Sequence, residues 1–438
     1  MVKFAWPYAS ATIILCCGLA VYYLTAQHFG INGFAQFSLA KRWIAFLEIA
    51  LFQSFAIGLT YFIAKSQSES DSPQHGNYVM AGLVLVLAIQ FALWAIASVC
   101  AEDMAHLFFG DAKLVGLVSI TCLLLLGYSL HTIAHASWRG QFSMGKTSLL
   151  DVFNLGCLPL AAIALSGNSL ERALWFMAIG TCGVSAAALV LILSTETIAI
   201  GQIKNCLEQL LRYAAPRLPG ILASAGLLGL PAIVATHLYG LQVGGIVAFS
   251  GTLVPLAALI SAPFNSAFMP FATASLSRGE SARVQRVFLC SILGIISVSM
   301  LALLTCNLMA PWIVRYCLHT EAPLMSDIFR WMSWVLPAHA AFVSCRGLLD
   351  GATSRVLNTK NALLALMLFA VVTAITLKNE SSPKFLLMGW VLSKYLQAGL
   401  SIFDTIHLLW PSRFSVRKTL TTAYRRHTLP IHQSKGHD

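Results

Sequence analysis

Four ionisable residues lie inside or at the edge of long apolar segments, where a charge is costly and is a functional candidate by default. They are Lys41, Glu48, Lys394 and Asp404. Glu48 follows Lys41 by seven residues, so a helix would place both on nearly the same face, roughly 10 Å apart along its axis. These groups either pair with each other or with backbone and fix helix packing, or they face a water-filled cavity. The sequence leaves both interpretations open.

A further arginine lies where a helix should begin. Arg217 occupies the segment Pro216-Arg217-Leu218-Pro219, whose prolines favour the first turn of a helix. A helix N-terminus attracts anions, and a guanidinium can contact a phosphate through two parallel hydrogen bonds. Arg217 is therefore a candidate for anion binding. The alternative is that Arg217 only anchors the segment at the cytoplasmic surface.

The elements that position these residues are apolar segments long enough to cross a bilayer. The chain has 438 residues, of which 58% are hydrophobic and only 10% are charged. A water-soluble domain carries about 25% charged residues, so lipid must be the main solvent. Because backbone amides must be satisfied internally in lipid, the segments should be helices. We predict twelve spans: 8–27, 42–64, 78–100, 114–135, 149–166, 173–194, 216–239, 246–270, 287–310, 329–349, 361–377 and 385–410.

The second six spans echo the first six. The segment Gly33 to Ser38 recurs as Gly245 to Ser250, and Arg139-Gly140 recurs as Arg346-Gly347. In each half, an asparagine follows that arginine by fifteen residues, and these are Asn154 and Asn361. Membrane chains built from two repeats are mostly transporters with a path between the repeats. The pattern predicts an all-α polytopic membrane protein with two pseudo-symmetric six-helix bundles around a central cavity.

The domain boundaries follow from the gaps between spans. We predict a first bundle over 1–194, a linker over 195–215, a second bundle over 216–410 and a basic tail over 411–438. In the linker, Ile203, Leu207 and Leu210 form one apolar stripe beside Lys204 and Glu208, as in an amphipathic interfacial helix. We expect it to tether the two halves on the cytoplasmic side.

The distribution of Lys and Arg predicts the orientation in the membrane. With a cytoplasmic N-terminus, nineteen of the 28 Lys and Arg residues lie on the cytoplasmic side, eight lie outside and Lys394 lies within a span. The positive-inside rule therefore favours cytoplasmic placement of both termini. The net charge of +11 is spread over loop ends, which suits anionic membrane lipids and not nucleic acid.

Several other chemistries find little support in the residues. Gly140 to Thr147 matches the letters of the phosphate-binding pattern G-x-x-x-x-G-K-[ST], but it joins two membrane spans where a strand and a soluble domain are needed. We expect no ATP binding there. The eleven cysteines show no metal-like spacing, and no cofactor is predicted. We interpret the histidines in or near the spans as packing or interfacial residues, with a proton relay as the alternative. These are His131, His135, His237, His339 and His407.

Several segments carry a resemblance to a known family: the stretch from Phe29-Gly30 through Gly58 to Ala64, Arg139-Gly140, Tyr213 to Gly220, Pro263 to Pro270, and Arg346 to Asp350. Together they resemble the polysaccharide repeat-unit, or O-antigen, flippases, which belong to the multidrug, oligosaccharidyl-lipid and polysaccharide exporter superfamily. The resemblance is diffuse and spans most of the chain. The first span has no Arg and the eighth no charge, so the arginine set of lipid II flippases is not matched.

The resemblance implies a transporter, not an enzyme, in the inner membrane of a bacterium. Its substrate would be a polyprenyl-diphosphate-linked oligosaccharide moved by alternating access for surface polysaccharide assembly. A polysaccharide polymerase or other assembly protein is a further partner that the resemblance leaves open. On this hypothesis, Lys41, Arg42, Arg217 and Lys394 contact the anionic head group. Glu48 and Asp404 couple transport to protons or another cation.

Two alternatives remain beside the flippase. A cation-coupled small-molecule or multidrug exporter of the same superfamily should carry acidic residues in its cavity. The first and seventh spans contain no Asp or Glu, which counts against it. A membrane-embedded glycosyltransferase or polymerase would need catalytic acids on a sizeable outer loop. The outer loops are short, and their acidic residues form no convincing pair.

Overall fold

A computed structural model describes residues 2–68, 75–258, 261, 268, 281–317, 323–352, 357–379 and 382–410. The predicted basic tail over 411–438 lies outside these ranges, as do Pro263 and Pro270. The described residues are almost entirely helical. The helices are α1 (Val2–Ser68), α2 (His75–Val99), α3 (Ala101–Phe109), α4 (Val115–Gly140), α5 (Met144–Asp151), α6 (Leu158–Leu165), α7 (Leu170–Ser194), α8 (Ile200–Ala214), α9 (Leu218–Tyr239), α10 (Leu241–Ser250), α11 (Ser281–Cys317), α12 (Pro323–Ser333), α13 (Val335–Ala352), α14 (Leu357–Asn379) and α15 (Pro383–Leu409).

Ten segments among the described residues are long and apolar enough to cross a membrane. One of them, Ala9–Ser66, has 58 residues and corresponds to the first two predicted spans. Helix α13 corresponds to the tenth predicted span, and its His339 and Arg346 make it too polar to count among the ten. With these two points, the helices match the predicted spans, except that the eighth, 246–270, is described only over 246–258 and at 261 and 268. The predicted all-α polytopic fold with two bundles is confirmed.

Two glycines break the helices at equivalent places in the two halves. Gly30 interrupts α1 with φ 66° and ψ −174°, and Gly240 separates α9 from α10 with φ 88° and ψ 170°. This backbone region is essentially restricted to glycine. The two glycines are 210 residues apart, so the internal repeat extends to backbone conformation.

The fifth predicted span is not a regular α-helix. A π-helix over Val152–Cys157 joins α5 to α6 and contains Asn154. Such wider turns shift the register of the side chains that follow, and they are frequent at functional sites. In the first half, α1 packs on this π-helix and on α4, and α4 in turn packs on α7. In the second half, α13 and α14 pack on α15.

The predicted amphipathic linker contains helix α8, which packs against the first half. Cys206, Leu210 and Ala214 are buried, whereas its charged residues face outward. Glu196 Oε1 lies 2.6 Å from His75 Nδ1, and the Tyr78 hydroxyl donates to Gln209 Oε1 at 2.6 Å. The linker is thus held to the start of α2. The exact domain boundaries stay a prediction.

Candidate functional site: two polar clusters and the contact between the halves

A carboxylate lies between two histidines inside the first half. Asp151 Oδ1 is 3.2 Å from His131 Nε2, and Asp151 Oδ2 is 3.4 Å from His135 Nε2. His131 and His135 are four residues apart on α4, so they share one helix face, and their rings lie 5.8 Å apart. One carboxylate can therefore accept a hydrogen bond from either imidazole.

Asn154 determines how His131 presents its proton. The Asn154 amide nitrogen lies 3.1 Å from His131 Nδ1 and donates to Ser185 Oγ at 2.9 Å. Because Nδ1 accepts this bond, the proton of a neutral His131 is on Nε2, facing Asp151. The π-helix places Asn154 and Asp151, three residues apart, on the same side of the chain. This arrangement can hold and pass a proton.

Glu48 extends the cluster towards α1. Thr132 Oγ1 donates to Glu48 Oε1 at 2.8 Å, and Glu48 is close enough to His131 and His135 to interact with their charges. Glu48, predicted to couple to a cation, therefore lies beside a histidine–carboxylate group. A packing role was the interpretation that the sequence favoured for these histidines. Their spacing of four residues, together with Asp151 and Asn154, is the signal in the sequence that points to the cluster.

The second half repeats the asparagine contact with a different acid. Asn361 Nδ2 donates to Asp404 Oδ2 at 2.9 Å and lies 3.3 Å from Ser401 Oγ. Asp404, the other predicted coupling residue, is thereby fixed to α14. It lies ten residues beyond Lys394 on α15, about 15 Å along the helix, so the two do not form a close pair.

Lys394 lies deep inside the second half. Lys394 is only 4% exposed, and within the described part of the chain it forms no ion pair. His339 on α13 is close enough to Lys394 and Arg346 to interact with both charges. The second half therefore holds a deeply buried cation near a histidine, and the cluster in the first half holds two carboxylates and two histidines.

Lys41 and Arg42, adjacent in sequence, make different contacts. Lys41 Nζ lies 5.6 Å from the centre of the Tyr22 ring and 5.7 Å from that of Phe37, so it is held by aromatic faces. Arg42 Nη2 instead donates to the backbone carbonyl oxygen of Ala248, in the other half, at 2.5 Å.

Arg217 lies apart from the other predicted residues. It ends a 3₁₀ turn over Ala215–Arg217 that leads from α8 into α9. Its guanidinium carbon lies 3.8 Å from the centre of the Tyr213 ring, and Nη1 donates to the Tyr213 carbonyl oxygen at 2.9 Å. Gly240, beside which the halves meet, is at the opposite end of α9.

The two halves touch near Gly30 and Gly240. Gln242 Nε2 donates to Asn32 Oδ1 at 3.1 Å, and His237 Nε2 lies 3.1 Å from the Leu107 carbonyl oxygen. Gly245 packs so closely on Ala35 that an added Cβ would lie 2.4 Å from the Ala35 Cα. Together with the Arg42 bond, these contacts join the halves on the side of the molecule that the charge distribution predicts to be outside.

An open pocket lies beside this contact. Its volume is about 600 Å³, and it is lined by Ala26, Gln27, His28, Gly30 and Asn168. None of the six predicted site residues lines this pocket. The substrate-binding and coupling roles assigned from the sequence therefore stay predictions.

Comparison with known proteins identifies the fold. No family model matches the chain, and no curated protein matches its sequence. The structure is similar to that of an outward-facing multidrug resistance MATE family transporter of the MOP superfamily, with a TM-score of 0.67, 14% identity, and coverage of 94% of this chain and 96% of that one. It is also similar to a MOP superfamily transporter from Pyrococcus furiosus, described as having a binding pocket of reverse polarity, with a TM-score of 0.67, 13% identity, and coverage of 94% of this chain and 96% of that one. For a eukaryotic MATE transporter, the TM-score is 0.63 and the identity 12%, with coverage of 95% of this chain and 99% of that one. The chain has the fold of these transporters.

Proposed function

We propose that the protein is a secondary transporter that exports a small organic solute across the membrane by alternating access, coupled to a proton gradient. The observation that carries this proposal is the bridging of His131 and His135 by Asp151, with Glu48 behind them. The likeness to multidrug transporters supports export of a small molecule over transfer of a lipid-linked glycan. The charge distribution supports cytoplasmic termini, and the resemblance to polysaccharide flippases supports a place in the inner membrane of a bacterium.

The cluster can couple proton binding to conformation. With neutral imidazoles, the ionised Asp151 leaves the group negatively charged, and a bound proton removes one unit of that charge. Histidine is the side chain whose charge ordinarily changes near neutral pH. Since the group joins α1, α4 and the end of α5, a proton changes the attraction among these helices. Coupling follows if the inward-open and outward-open states bind the proton with different affinity.

A lipid-linked oligosaccharide flippase is the second candidate. It is favoured by Lys394, a deeply buried cation, and by Lys41 in the first half. A diphosphate cannot cross hydrocarbon unaided because desolvating its charge is too unfavourable. Cations in a cavity between the halves could replace its water while the polyprenyl tail stays in lipid.

Proteoliposomes test the coupling directly. The purified protein is reconstituted, a pH gradient is imposed, and movement of a fluorescent cationic dye is followed. We expect gradient-driven dye transport that is lost in Asp151→Asn and kept in Arg172→Gln, an exposed control at the start of α7. Dye movement that ignores the gradient would refute proton coupling.

A deletion strain separates the two substrates. The exporter hypothesis predicts unchanged lipid-linked saccharides and greater sensitivity to cationic compounds in cells lacking the gene. Accumulation of a polyprenyl-diphosphate glycan, protected from an enzyme that acts only at the outer leaflet, would establish the second candidate instead.

A further inference from the structure

Arg42 makes an unusual contact for a side chain predicted to bind substrate. Its residue is 7% exposed, and its guanidinium reaches from the first half to a main-chain oxygen in the second. A buried arginine is stabilised only where its donors find partners. Here the partner is the Ala248 carbonyl oxygen, which belongs to α10.

The local backbone of α10 makes that carbonyl available. In a continuing α-helix, the Thr252 N–H would donate to Ala248 O. The Thr252 N–H instead donates to Phe249 O at 2.9 Å, since α10 ends at Ser250. Carbonyls in the last turn of a helix lack helical partners and carry the negative end of its dipole. Arg42 therefore caps a helix that belongs to the opposite half.

Gly251 provides the space for this cap. A Cβ added at Gly251 would lie 2.4 Å from Arg42 Nη2 and 2.7 Å from Arg42 Cζ. Any larger residue would displace the guanidinium. The helix end, its free carbonyl and the adjacent glycine thus form a complementary receptor for the arginine.

We propose that Arg42 is a positioning residue that latches the two halves together on the side of Gly30 and Gly240. Separating the halves there leaves both the Arg42 guanidinium and the Ala248 carbonyl oxygen without their hydrogen bond. Opening therefore requires water to hydrate both groups. The latch is asymmetric, because the repeat places Val254 at the position equivalent to Arg42. The inference concerns the conformational equilibrium of alternating access and does not depend on which solute is carried.

The surrounding contacts allow the latch to be removed selectively. The Phe249 ring packs against Tyr22 and Phe34, with ring centres 4.9 Å and 5.5 Å apart. This aromatic packing joins the halves without Arg42. A variant such as Arg42→Met should therefore fold while it opens more often.

Cysteine accessibility measures that opening. Ser38 lies one helical turn before Arg42 on the same face and is 1% exposed, so Ser38→Cys reports separation of the halves. Ser129, 0% exposed inside α4, gives a matched reporter, Ser129→Cys, for general unfolding. Purified protein in detergent is labelled with a polar maleimide, and the same protein without the added cysteine supplies the background from native cysteines.

We expect Arg42→Met to raise the labelling rate at position 38 about tenfold and to leave position 129 unchanged. Arg42→Lys should give a smaller increase, because it keeps the charge but loses the planar fork. Gly251→Ala should raise the labelling rate at position 38 as well, because its Cβ displaces the guanidinium while Arg42 itself is not substituted. Arg172→Met, at an exposed arginine, is the control and should change neither rate.

Two results would overturn the latch. In one, position 38 is labelled at the same rate in the parent, Arg42→Met and Gly251→Ala. In the other, the labelling rates at positions 38 and 129 rise together, which would mean that Arg42 only supports folding. If Arg42→Met is not recovered as folded protein, Gly251→Ala and Arg42→Lys decide by the same criteria. The assay uses no solute and no gradient, so its failure would leave the proposed transport function to its own test.

Discussion

Asn154 and Asn361, 207 residues apart, make the same contact in the two halves. Each amide nitrogen faces a serine hydroxyl on the last membrane helix of its own half, at 2.9 Å for Ser185 and 3.3 Å for Ser401. Around this shared pair, the halves differ. Asn154 also faces His131, whereas Asn361 donates to Asp404. The repeat therefore preserves a helix–helix contact while the titratable groups beside it have diverged.

Neutralising Asp151 should separate solute binding from proton coupling. Asp151→Asn keeps the size of the side chain but removes the charge that His131 and His135 share. We expect gradient-driven accumulation in proteoliposomes to fall at least tenfold, while exchange of labelled for unlabelled solute without a gradient continues. Loss of both activities would mean that Asp151 serves folding or solute binding. Unchanged accumulation would remove Asp151 from the coupling mechanism.

Substitution of the glycine at either helix break should destabilise the protein. Gly30→Ala and Gly240→Ala each force a non-glycine residue into a backbone region that only glycine readily adopts, which costs about 1–3 kcal/mol. A Cβ at either site meets no atom within 4 Å, so the effect isolates backbone strain from crowding. Thermal unfolding in detergent should show a lower midpoint for both variants.

Gly18→Ala is the matched control for that measurement. Gly18 also has open space around a Cβ, but it lies within the helical part of α1 at ordinary φ. We expect this variant to be as stable as the parent or slightly more stable, because alanine favours helix. Equal midpoints for Gly18→Ala, Gly30→Ala and Gly240→Ala would contradict the strain argument.

A covalent link across the contact between the halves should stop transport. Asn32 and Gln242 hydrogen-bond at 3.1 Å, so Asn32→Cys combined with Gln242→Cys should cross-link with a short bifunctional reagent. We expect the link to abolish dye transport and reduction of a cleavable linker to restore it. Each single variant treated with the same reagent is the control. Full transport by the linked protein would show that this contact persists throughout the cycle.

Replacing Lys394 should distinguish the two candidate substrates. Lys394→Met removes a deeply buried ammonium, and burial of an unpaired charge is unfavourable. We expect a higher midpoint of thermal unfolding and unchanged transport of a cationic dye. The flippase hypothesis predicts instead that neutralising Lys394 or Arg217 abolishes glycan export at normal protein level. Full export by both alanine variants would exclude it.

The sequence by itself determined the architecture of this protein. Only helices satisfy backbone amides in lipid, so apolar segments of about 20 residues were sufficient to predict twelve spans. The recurrence of Asn154 as Asn361 was readable without a structure because it depends only on spacing. The apolar stripe of α8 was readable for the same reason, since its period is that of a helix.

Only the tertiary structure decided which polar groups meet. His131 and Asp151 lie on separate helices, and the π-helix that aligns Asn154 with them follows no pattern that hydropathy can show. Arg42 was a candidate for substrate binding by its charge alone, yet its partner is a main-chain carbonyl in the other half. Every residue has such a carbonyl, so side-chain chemistry could not single out Ala248. Its availability depends on where α10 ends and on how the two halves pack.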